Sequence, residues 1–343
     1  MRTGSSRRLT TTHLVWLAFL GITVCCAILV GAAGGNLLSN ASIVDLLTRS
    51  SLLGFIAVGQ TMVIVCRSLD LSVGYVVALS SLVAAETMAG DPARIPVALG
   101  AALAVAAVVG LVNGLVVTGL KVNPFIATLG VGLIIRGFLD TAYAGPAGEV
   151  APAFQAFGYT RIGPIPLSTL VMFLVAGAAV ILLARTRVGA HMYAVGGDTE
   201  VARLSGVRTG RVLVTAHILC AVAAGIAGLL LAARFGTGSA LVYDDGYDLE
   251  SIAAVVLGGT HLLGGRGGVG GTVAGVLILA VLDSTFNALS VDPFAKDVLR
   301  GVIIIAAVAI YARRRVSVTR RRFPAGRPPM VPAAAVPVQK GMA

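Results

Sequence analysis

Residues 95–119 read IPVALGAALAVAAVVGLVNGLVVTG, a run of apolar and small residues without a charged side chain. A helix that crosses the hydrocarbon core of a bilayer needs about 20 such residues, so this stretch predicts a transmembrane helix. The rest of the chain has the same character: of 343 residues, 57% are hydrophobic and only 12% are charged, and the mean hydropathy is +0.93. This composition is typical of a membrane protein and leaves no room for a soluble domain of useful size.

Ten apolar segments follow one another and predict ten transmembrane helices. They cover approximately residues 14–34, 51–66, 73–90, 95–119, 124–144, 165–184, 212–233, 250–263, 268–289 and 297–312. The eighth, 250–263, is short enough to be a half-span. We therefore expect an all-α, polytopic membrane protein with a short N-terminal segment (1–13), a membrane domain (14–312), and a tail rich in arginine, proline and alanine (313–343) whose composition is typical of disorder.

The basic residues predict the orientation of these helices. If the chain starts in the cytoplasm and crosses ten times, most arginines and lysines fall inside and few fall outside, as the positive-inside rule requires. The inside set comprises the N-terminal arginines, Arg67, Lys121, Arg185, Arg187, Arg203, Arg208, Arg211, Arg266 and the arginines of the tail; the outside set comprises Arg49, Arg94, Arg161, Arg234 and Lys296. Both termini are therefore expected in the cytoplasm, with the basic tail against anionic lipid.

Two long segments between the predicted spans are predicted to be nonhelical. Residues 145–164 fall outside and suit a surface cap or contact site. Residues 185–211 fall inside, where a partner protein could contact them.

The sequence lacks the motifs of several kinds of catalytic and binding site. No GxxxxGK[ST] loop is present, so ATP hydrolysis by that machinery is not expected on this chain. The pattern Gly265–Gly270 formally matches a dinucleotide fingerprint but follows no predicted strand, and it is better explained as a tight turn. The four histidines, His13, His191, His217 and His261, lack metal-ligand spacing. We expect no catalytic group, cofactor, metal or nucleic-acid partner.

Polar side chains within the predicted helices mark a candidate translocation pathway, because such groups are costly in a bilayer. Arg136 and Asp140 are four residues apart and share one face of the fifth helix, where they form either a structural ion pair or part of the pathway lining. Uncharged polar groups either join helices or contact a polar solute. Those near the middle of the predicted spans are Gln60, Asn113, Thr128 and Asn287.

A sequence break separates the second and third predicted helices. Residues 70–74 read Asp-Leu-Ser-Val-Gly, and Asp70 and Ser72 are good helix N-cap residues that can satisfy free backbone N–H groups ahead of Gly74. A structural capping role and contact with the solute are the two interpretations.

Several segments together resemble the permease subunits of bacterial monosaccharide ATP-binding cassette (ABC) importers of the ribose type. In chain order, the matching residues are Gly59-Gln-Thr, Leu69-Asp-Leu-Ser-Val-Gly74, Gly110-Leu-Val-Asn-Gly114, Asn123-Pro-Phe-Ile-Ala-Thr-Leu-Gly130, Arg136-Gly137, Gly189-Ala-His-Met-Tyr-Ala-Val-Gly-Gly-Asp198, Ala202-Arg-Leu-Ser-Gly206, Glu250-Ser-Ile-Ala-Ala-Val-Val-Leu-Gly-Gly-Thr260 and Gly264-Gly-Arg-Gly267. The resemblance runs from about residue 50 to 312.

This resemblance implies a multi-pass permease of the bacterial inner membrane and a set of partners. Two permease copies or paralogues would form the channel, a cytoplasmic ABC ATPase would drive it, and an extracytoplasmic binding protein would deliver the sugar. In that family the inside loop, here 185–211, holds the helix that couples the permease to the ATPase. The matching positions are Arg187, Gly189, Tyr193, Ala194, Gly196, Asp198, Ala202, Arg203 and Gly206.

The chain departs from the family pattern at two places. Cys66-Arg-Ser-Leu69 stands where glycines commonly precede the Asp-Leu-Ser-Val-Gly sequence, and Asp198 stands where asparagine is frequent. The alternatives are an ABC permease for branched-chain amino acids or nucleosides, an ion-coupled secondary carrier, and a membrane enzyme. The absence of catalytic clusters disfavours the enzyme.

Overall fold

The computed structural model describes residues 11–292, 294–296, 298–299 and 301–302. Most of these residues lie in helices, which are joined by turns, loops and one two-stranded antiparallel hairpin. The elements are α1 (Thr11–Ala32), α2 (Asn40–Val65), α3 (Val73–Met88), α4 (Ile95–Gly119), α5 (Pro124–Ala142), α6 (Pro152–Tyr159), β1 (Arg161–Ile162), β2 (Ile165–Pro166), α7 (Leu167–Arg185), α8 (Arg187–Gly197), α9 (Thr199–Leu204), α10 (Thr209–Phe235), α11 (Tyr247–Leu257) and α12 (Val269–Ala288).

Local sequence sets the ends of several helices. The Ser39 hydroxyl accepts a hydrogen bond from the Ser42 backbone N–H at the start of α2. Asn123 accepts one from the Phe125 N–H at the start of α5, where Pro124 occupies the first position. At its C-terminal end, α10 stops at Gly236, which has a φ of +73°.

Seven of the described helices are long and apolar enough to cross a membrane, namely α1, α2, α4, α5, α7, α10 and α12. The chain is thus a predominantly helical, multi-pass membrane protein. The third predicted span is the shorter apolar helix α3, and the eighth is the 11-residue helix α11, the length of a half-span. Most of the tenth predicted span (297–312), the segment 1–10 and the tail 313–343 lie outside the described residues.

The prediction from hydropathy that residues 145–164 and 185–211 are nonhelical was wrong in part, although the family resemblance already implied a helix in the second segment. The first segment contains α6, which begins at Pro152, and the hairpin. The second contains α8 and α9, which begin after the capping residues Thr186 and Asp198. These helices are short and carry polar residues, so hydropathy alone does not reveal them.

The core is centred on α10, which packs against α2, α3 and α4. Small residues let the helix backbones approach closely. A Cβ on Gly110 of α4 would lie 2.6 Å from the His217 carbonyl oxygen of α10, and a Cβ on Gly228 of α10 would lie 2.5 Å from the Val77 oxygen of α3. Side chains at these positions would force the helices apart.

The bundle has two ends that matter for function. One end, here called the α8 end, holds the C-terminal ends of α2 and α4, the N-terminal end of α10, and α8 itself. Contacts between Gly196 and Val65, and between Gly114 and Val214, establish this arrangement. The opposite end holds the start of α2, the C-terminal end of α10 and the contact between Glu86 and Tyr143.

Candidate functional site

A buried, nonhelical segment, residues 66–72, separates α2 from α3 inside the bundle. Asp70 and Ser72 are fully buried, and Ser68 is 2% exposed. Arg67 adopts a φ of +63°, a left-handed conformation that is uncommon for a residue with a side chain. Because buried polar groups are costly unless they are bonded, the partners of this break determine whether it is stable.

Asp70 is the centre of a hydrogen-bond network. Its Oδ1 accepts from the Ser72 backbone N–H at 3.0 Å and from the Ser72 hydroxyl at 2.6 Å. Its Oδ2 lies 3.1 Å from Nδ1 of His217, and both side chains are fully buried. The Asn113 amide donates to the Ser72 hydroxyl at 2.8 Å and to both Asp70 oxygens at 3.3 Å.

Two further predicted pathway residues also bind the break. In the amide orientation that satisfies both of its ends, Gln60 donates to the Asp70 carbonyl and accepts from the Asp70 N–H, each at 3.3 Å. The Thr128 hydroxyl accepts from the Leu71 N–H at 3.0 Å. The structure thus places Gln60, Asn113 and Thr128 together around one segment of backbone, all fully buried.

Gly74, in the first turn of α3, lies against the segment between α10 and α11. A Cβ at this position would be 3.8 Å from the Tyr243 backbone, an ordinary contact distance. The close neighbour on this side is instead Tyr75, whose ring stacks on that of Tyr243 with 5.3 Å between centroids.

Arg136 and Asp140 form a second polar cluster, on α5. Nε of Arg136 lies 3.4 Å from Oδ2 of Asp140, and both side chains are 45% exposed. The Arg136 guanidinium lies 5.0 Å from the centre of the Tyr243 ring, and the Tyr243 hydroxyl donates to Asp140. Charged groups that are half exposed on a spanning helix require water or a partner protein beside them, because lipid chains solvate them poorly.

Two other polar residues of the predicted spans lie away from both clusters. The prediction that Asn287 lies near the middle of a span was wrong: it is exposed at the end of α12, where its Oδ1 accepts from Nζ of Lys296 at 2.6 Å. Glu86, in α3, is exposed and accepts from the Tyr143 hydroxyl at 2.9 Å. Neither contributes to the network around Asp70.

The residues of the predicted coupling segment divide into an inner and an outer set. The inner set is buried or half buried against the bundle and comprises Gly189, Tyr193, Gly196 and Ala202. The outer set is exposed and comprises Arg187, Ala194, Asp198, Arg203 and Gly206. The helices α8 and α9 therefore lie flat on the bundle and present a charged outer surface.

Side-chain hydrogen bonds hold the residues of α9 on the outer surface. The Asp198 carboxylate accepts from the N–H groups of Glu200 and Val201 at 2.9 and 3.0 Å and so caps α9. Arg203 donates to Glu200 through Nε at 3.0 Å. This hydrogen bond and the adjacent positive charge hold the pKa of Glu200 below its usual range.

The inner surface of α8 contacts two chain segments at once. A Cβ on Gly196 would overlap the Val65 carbonyl oxygen, and that oxygen accepts a hydrogen bond from the Gly265 N–H at 2.9 Å. The Tyr193 hydroxyl donates to the Gly267 carbonyl at 2.8 Å, and burial raises the pKa of this phenol. The turn 258–268, which connects α11 and α12, therefore contacts both α8 and the end of α2.

A cavity of about 560 Å³ opens at the opposite end, between α2, α10, α11 and α12. Sequence reasoning missed it, because its lining residues come from four separate helices and from the segment between α10 and α11. Carboxylates outnumber cationic groups in the lining: the charged residues are Asp45, Asp244, Asp245, Glu250, Asp283, Arg49 and Arg234. Burial, reinforced by the neighbouring Asp244, raises the pKa of Asp245.

Comparison with known proteins identifies the family. Residues 42–308 match the family described as branched-chain amino acid transport system / permease component. The chain belongs to this family of permeases. No solved structure gives a significant match.

Individual relatives match this permease over nearly their whole length. The ribose import permease protein RbsC of Escherichia coli (strain K12) is 36% identical over 322 residues, 90% of this chain and 98% of the relative. RbsC of Bacillus subtilis (strain 168) is 37% identical over 297 residues, covering 85% and 91%. The galactose/methyl galactoside import permease protein MglC of Haemophilus influenzae is 32% identical over 326 residues, covering 88% and 95%.

Proposed function

We propose that this permease forms the translocation pathway of a sugar ABC importer and that its cargo is a monosaccharide. The observation that carries the proposal is the near full-length match to permeases of ribose and of galactose import. Energy comes from a separate cytoplasmic ATPase, and an extracytoplasmic binding protein delivers the sugar. The chain works in the inner membrane with a second permease copy or a paralogue.

The distribution of charge supports an orientation with the α8 end in the cytoplasm. Basic residues cluster at that end, in the segments around Arg67, Lys121, Arg187 and Arg203, which is the pattern of positive-inside loops. Ten crossings, with a tenth helix in 297–312, would return the C-terminal tail to the cytoplasm beside the N-terminus.

The outer surface of α8 and α9 is the proposed contact with the ATPase. Its exposed arginines and the capped, flat arrangement of the two helices suit docking into a cleft of a partner protein. The inner surface then transmits the motion, because Gly196 and Tyr193 contact the bundle without intervening side chains. Nucleotide-dependent contact energy at this surface would bias the helices between inward-open and outward-open states.

The Arg136–Asp140–Tyr243 cluster is the proposed wall of the pathway. The half-exposed Arg136 and Asp140 side chains can donate to and accept from a hydroxyl-rich solute, and the buried Tyr243, with Tyr75 stacked on it, supports them from behind. A second permease copy facing this surface would shield the charges from lipid and enclose the solute.

The family description favours a second candidate cargo, a branched-chain amino acid. Such a zwitterion requires a fixed countercharge for each of its charged groups, whereas a sugar requires hydrogen-bond donors and acceptors. Competition for uptake by ribose, galactose and leucine distinguishes the two cargoes.

Reconstitution tests the proposal. Proteoliposomes that contain the permease alone are expected to accumulate no sugar, even with an imposed ion gradient. Addition of the cognate ATPase with internal ATP, and of the binding protein outside, is expected to start uptake. Accumulation driven by the ion gradient alone would overturn the proposal in favour of a secondary carrier.

A further inference from the structure

A short chain of direct contacts connects α8 to the buried break between α2 and α3. Gly196 of α8 packs on the Val65 carbonyl, the last residue of α2. Gly264, in the turn 258–268, packs on Arg67, since a Cβ there would lie 2.8 Å from the Arg67 nitrogen. Ser68 is the next residue, and its side chain points into the buried network.

His217 joins this break to the central helix α10. Its Nε2 lies 3.0 Å from the Ser68 hydroxyl and its Nδ1 lies 3.1 Å from Asp70 Oδ2, so one imidazole contacts both halves of the break. Ser68, Asp70 and His217 are all buried. The His217 carbonyl is also the point where Gly110 of α4 makes its closest approach to α10.

The break is held mainly by side-chain hydrogen bonds from other helices. Residues 66–72 have no helical ladder between α2 and α3, although Ser68 N–H still donates to the Val63 carbonyl at 3.1 Å. A nonhelical segment can absorb a displacement by changing its backbone angles, which is how hinges act. Hydrogen bonds from side chains of α10 and α4 would limit this change in the backbone angles, because segments that are joined by such bonds move together.

We propose that His217 is a positioning residue that fixes the segment 66–72 to α10, so that displacement of α8 moves α3 and α10 together instead of deforming the break. The inference rests on the proposed function, because it assumes that α8 receives the motion of an ATPase. It assigns to the Asp-Leu-Ser-Val-Gly sequence a role in coupling and not in binding the solute. Loosening the network should therefore lower the amount of sugar moved per ATP hydrolysed.

The test compares two serine-to-alanine variants in the complete permease–ATPase complex. S68A removes one hydrogen bond of the His217 imidazole and little volume. S80A is the matched control, because Ser80 of α3 is also fully buried and its hydroxyl has no hydrogen-bond partner within the described part of the chain. Uptake of radiolabelled sugar and release of phosphate are measured on the same proteoliposomes, together with the thermal stability of the complex.

We expect S68A to lower the ratio of sugar to ATP about fivefold, the factor that corresponds to one net hydrogen bond, while S80A keeps the wild-type ratio. H217L, which removes both bonds, is expected to lower the ratio further, and H217N, which keeps one donor, to restore part of it. If H217L fails to assemble, S68A and H217N decide the question.

An unchanged ratio of sugar to ATP in S68A and H217N, with uptake falling only in proportion to the amount of assembled complex, would show that the network serves stability alone and would overturn the inference. Failure of the proposed function has a different signature. In that case the wild-type complex itself shows no ATP-dependent uptake of sugar.

Discussion

Replacing Gly196 by alanine tests the contact between α8 and the bundle, and Gly197 provides a matched control one residue away. Both glycines belong to the last turn of α8, and neither has a positive φ. A Cβ on Gly196 would overlap the Val65 carbonyl oxygen and lie 2.6 Å from the Gly265 nitrogen, whereas a Cβ on Gly197 would have nothing within 4 Å. The two variants therefore add the same methyl group to the same helix in opposite surroundings.

The magnitude follows from these distances. Carbon atoms pack at about 3.5–4 Å, so α8 must move away from Val65 by about 1 Å or more in G196A. The obstructing atoms are backbone atoms and cannot change rotamer. Overpacking of this kind costs about 1–3 kcal/mol, and weakening of the hydrogen bond from the Gly265 N–H to the Val65 carbonyl adds up to about 1 kcal/mol. The higher helix propensity of alanine offsets up to about 1 kcal/mol in both variants.

The expected result is that G196A unfolds at a temperature several degrees below wild type, while G197A unfolds at or slightly above it. Thermal unfolding of the purified permease in detergent, followed by far-UV circular dichroism, measures this difference. Sugar uptake by the reconstituted complex should fall in G196A and remain in G197A. Equal stability and equal uptake of the two variants would refute the close approach of α8 to α2.

Three further predictions address the coupling surface, the pathway and the cavity. D198A should remove the cap of α9, at a cost of about 0.5–2 kcal/mol, and lower ATP-driven uptake. D198N should keep the cap and the uptake, and the uptake assay compares the two variants. D140N should lower sugar uptake about tenfold or more, because it leaves Arg136 without its carboxylate partner, while assembly of the complex, measured by co-purification, stays intact. R94Q, at another exposed ion pair, should change neither uptake nor assembly. Because burial and Asp244 raise the pKa of Asp245 in the folded protein, stability should fall as pH rises from the ordinary aspartate range through the folded pKa. D245N should accordingly raise the unfolding temperature at pH 7 and have no effect at a pH below the ordinary value of 3.8, and an unfolding temperature that is lower in D245N at pH 7 would contradict this assignment.

Two features that a local pattern predicts are found where the sequence places them. The run 95–119 becomes α4, which covers the same residues, because the hydrophobicity of a spanning segment depends on its own composition and not on distant residues. The same holds for the pair Arg136 and Asp140, whose spacing of four places them on one helix face. The family, too, could be inferred from short segments that occur in a fixed order.

Residues whose role depends on distant partners could not be placed in this way. His217 appeared as an isolated histidine with no metal-ligand spacing, yet it contacts Asp70, which is 147 residues away. Gln60, Asn113 and Thr128 were grouped as candidate pathway residues, and the structure brings all three to the buried break. One signal was available, since an ionisable side chain inside a spanning helix requires a partner, but the sequence does not say which.

The sequence by itself determined that this chain is a multi-pass helical membrane protein, because the cost of placing each segment in a bilayer is summed over that segment alone. It also indicated the permease family, because the matching segments are short and occur in a fixed order. Only the tertiary structure decided which polar groups meet. Hydrogen bonds act over about 3 Å and join helices that are far apart in the chain, so the network around Asp70, the contact of Gly196 with Val65 and the cavity at the opposite end exist only once α10 has packed among its neighbours.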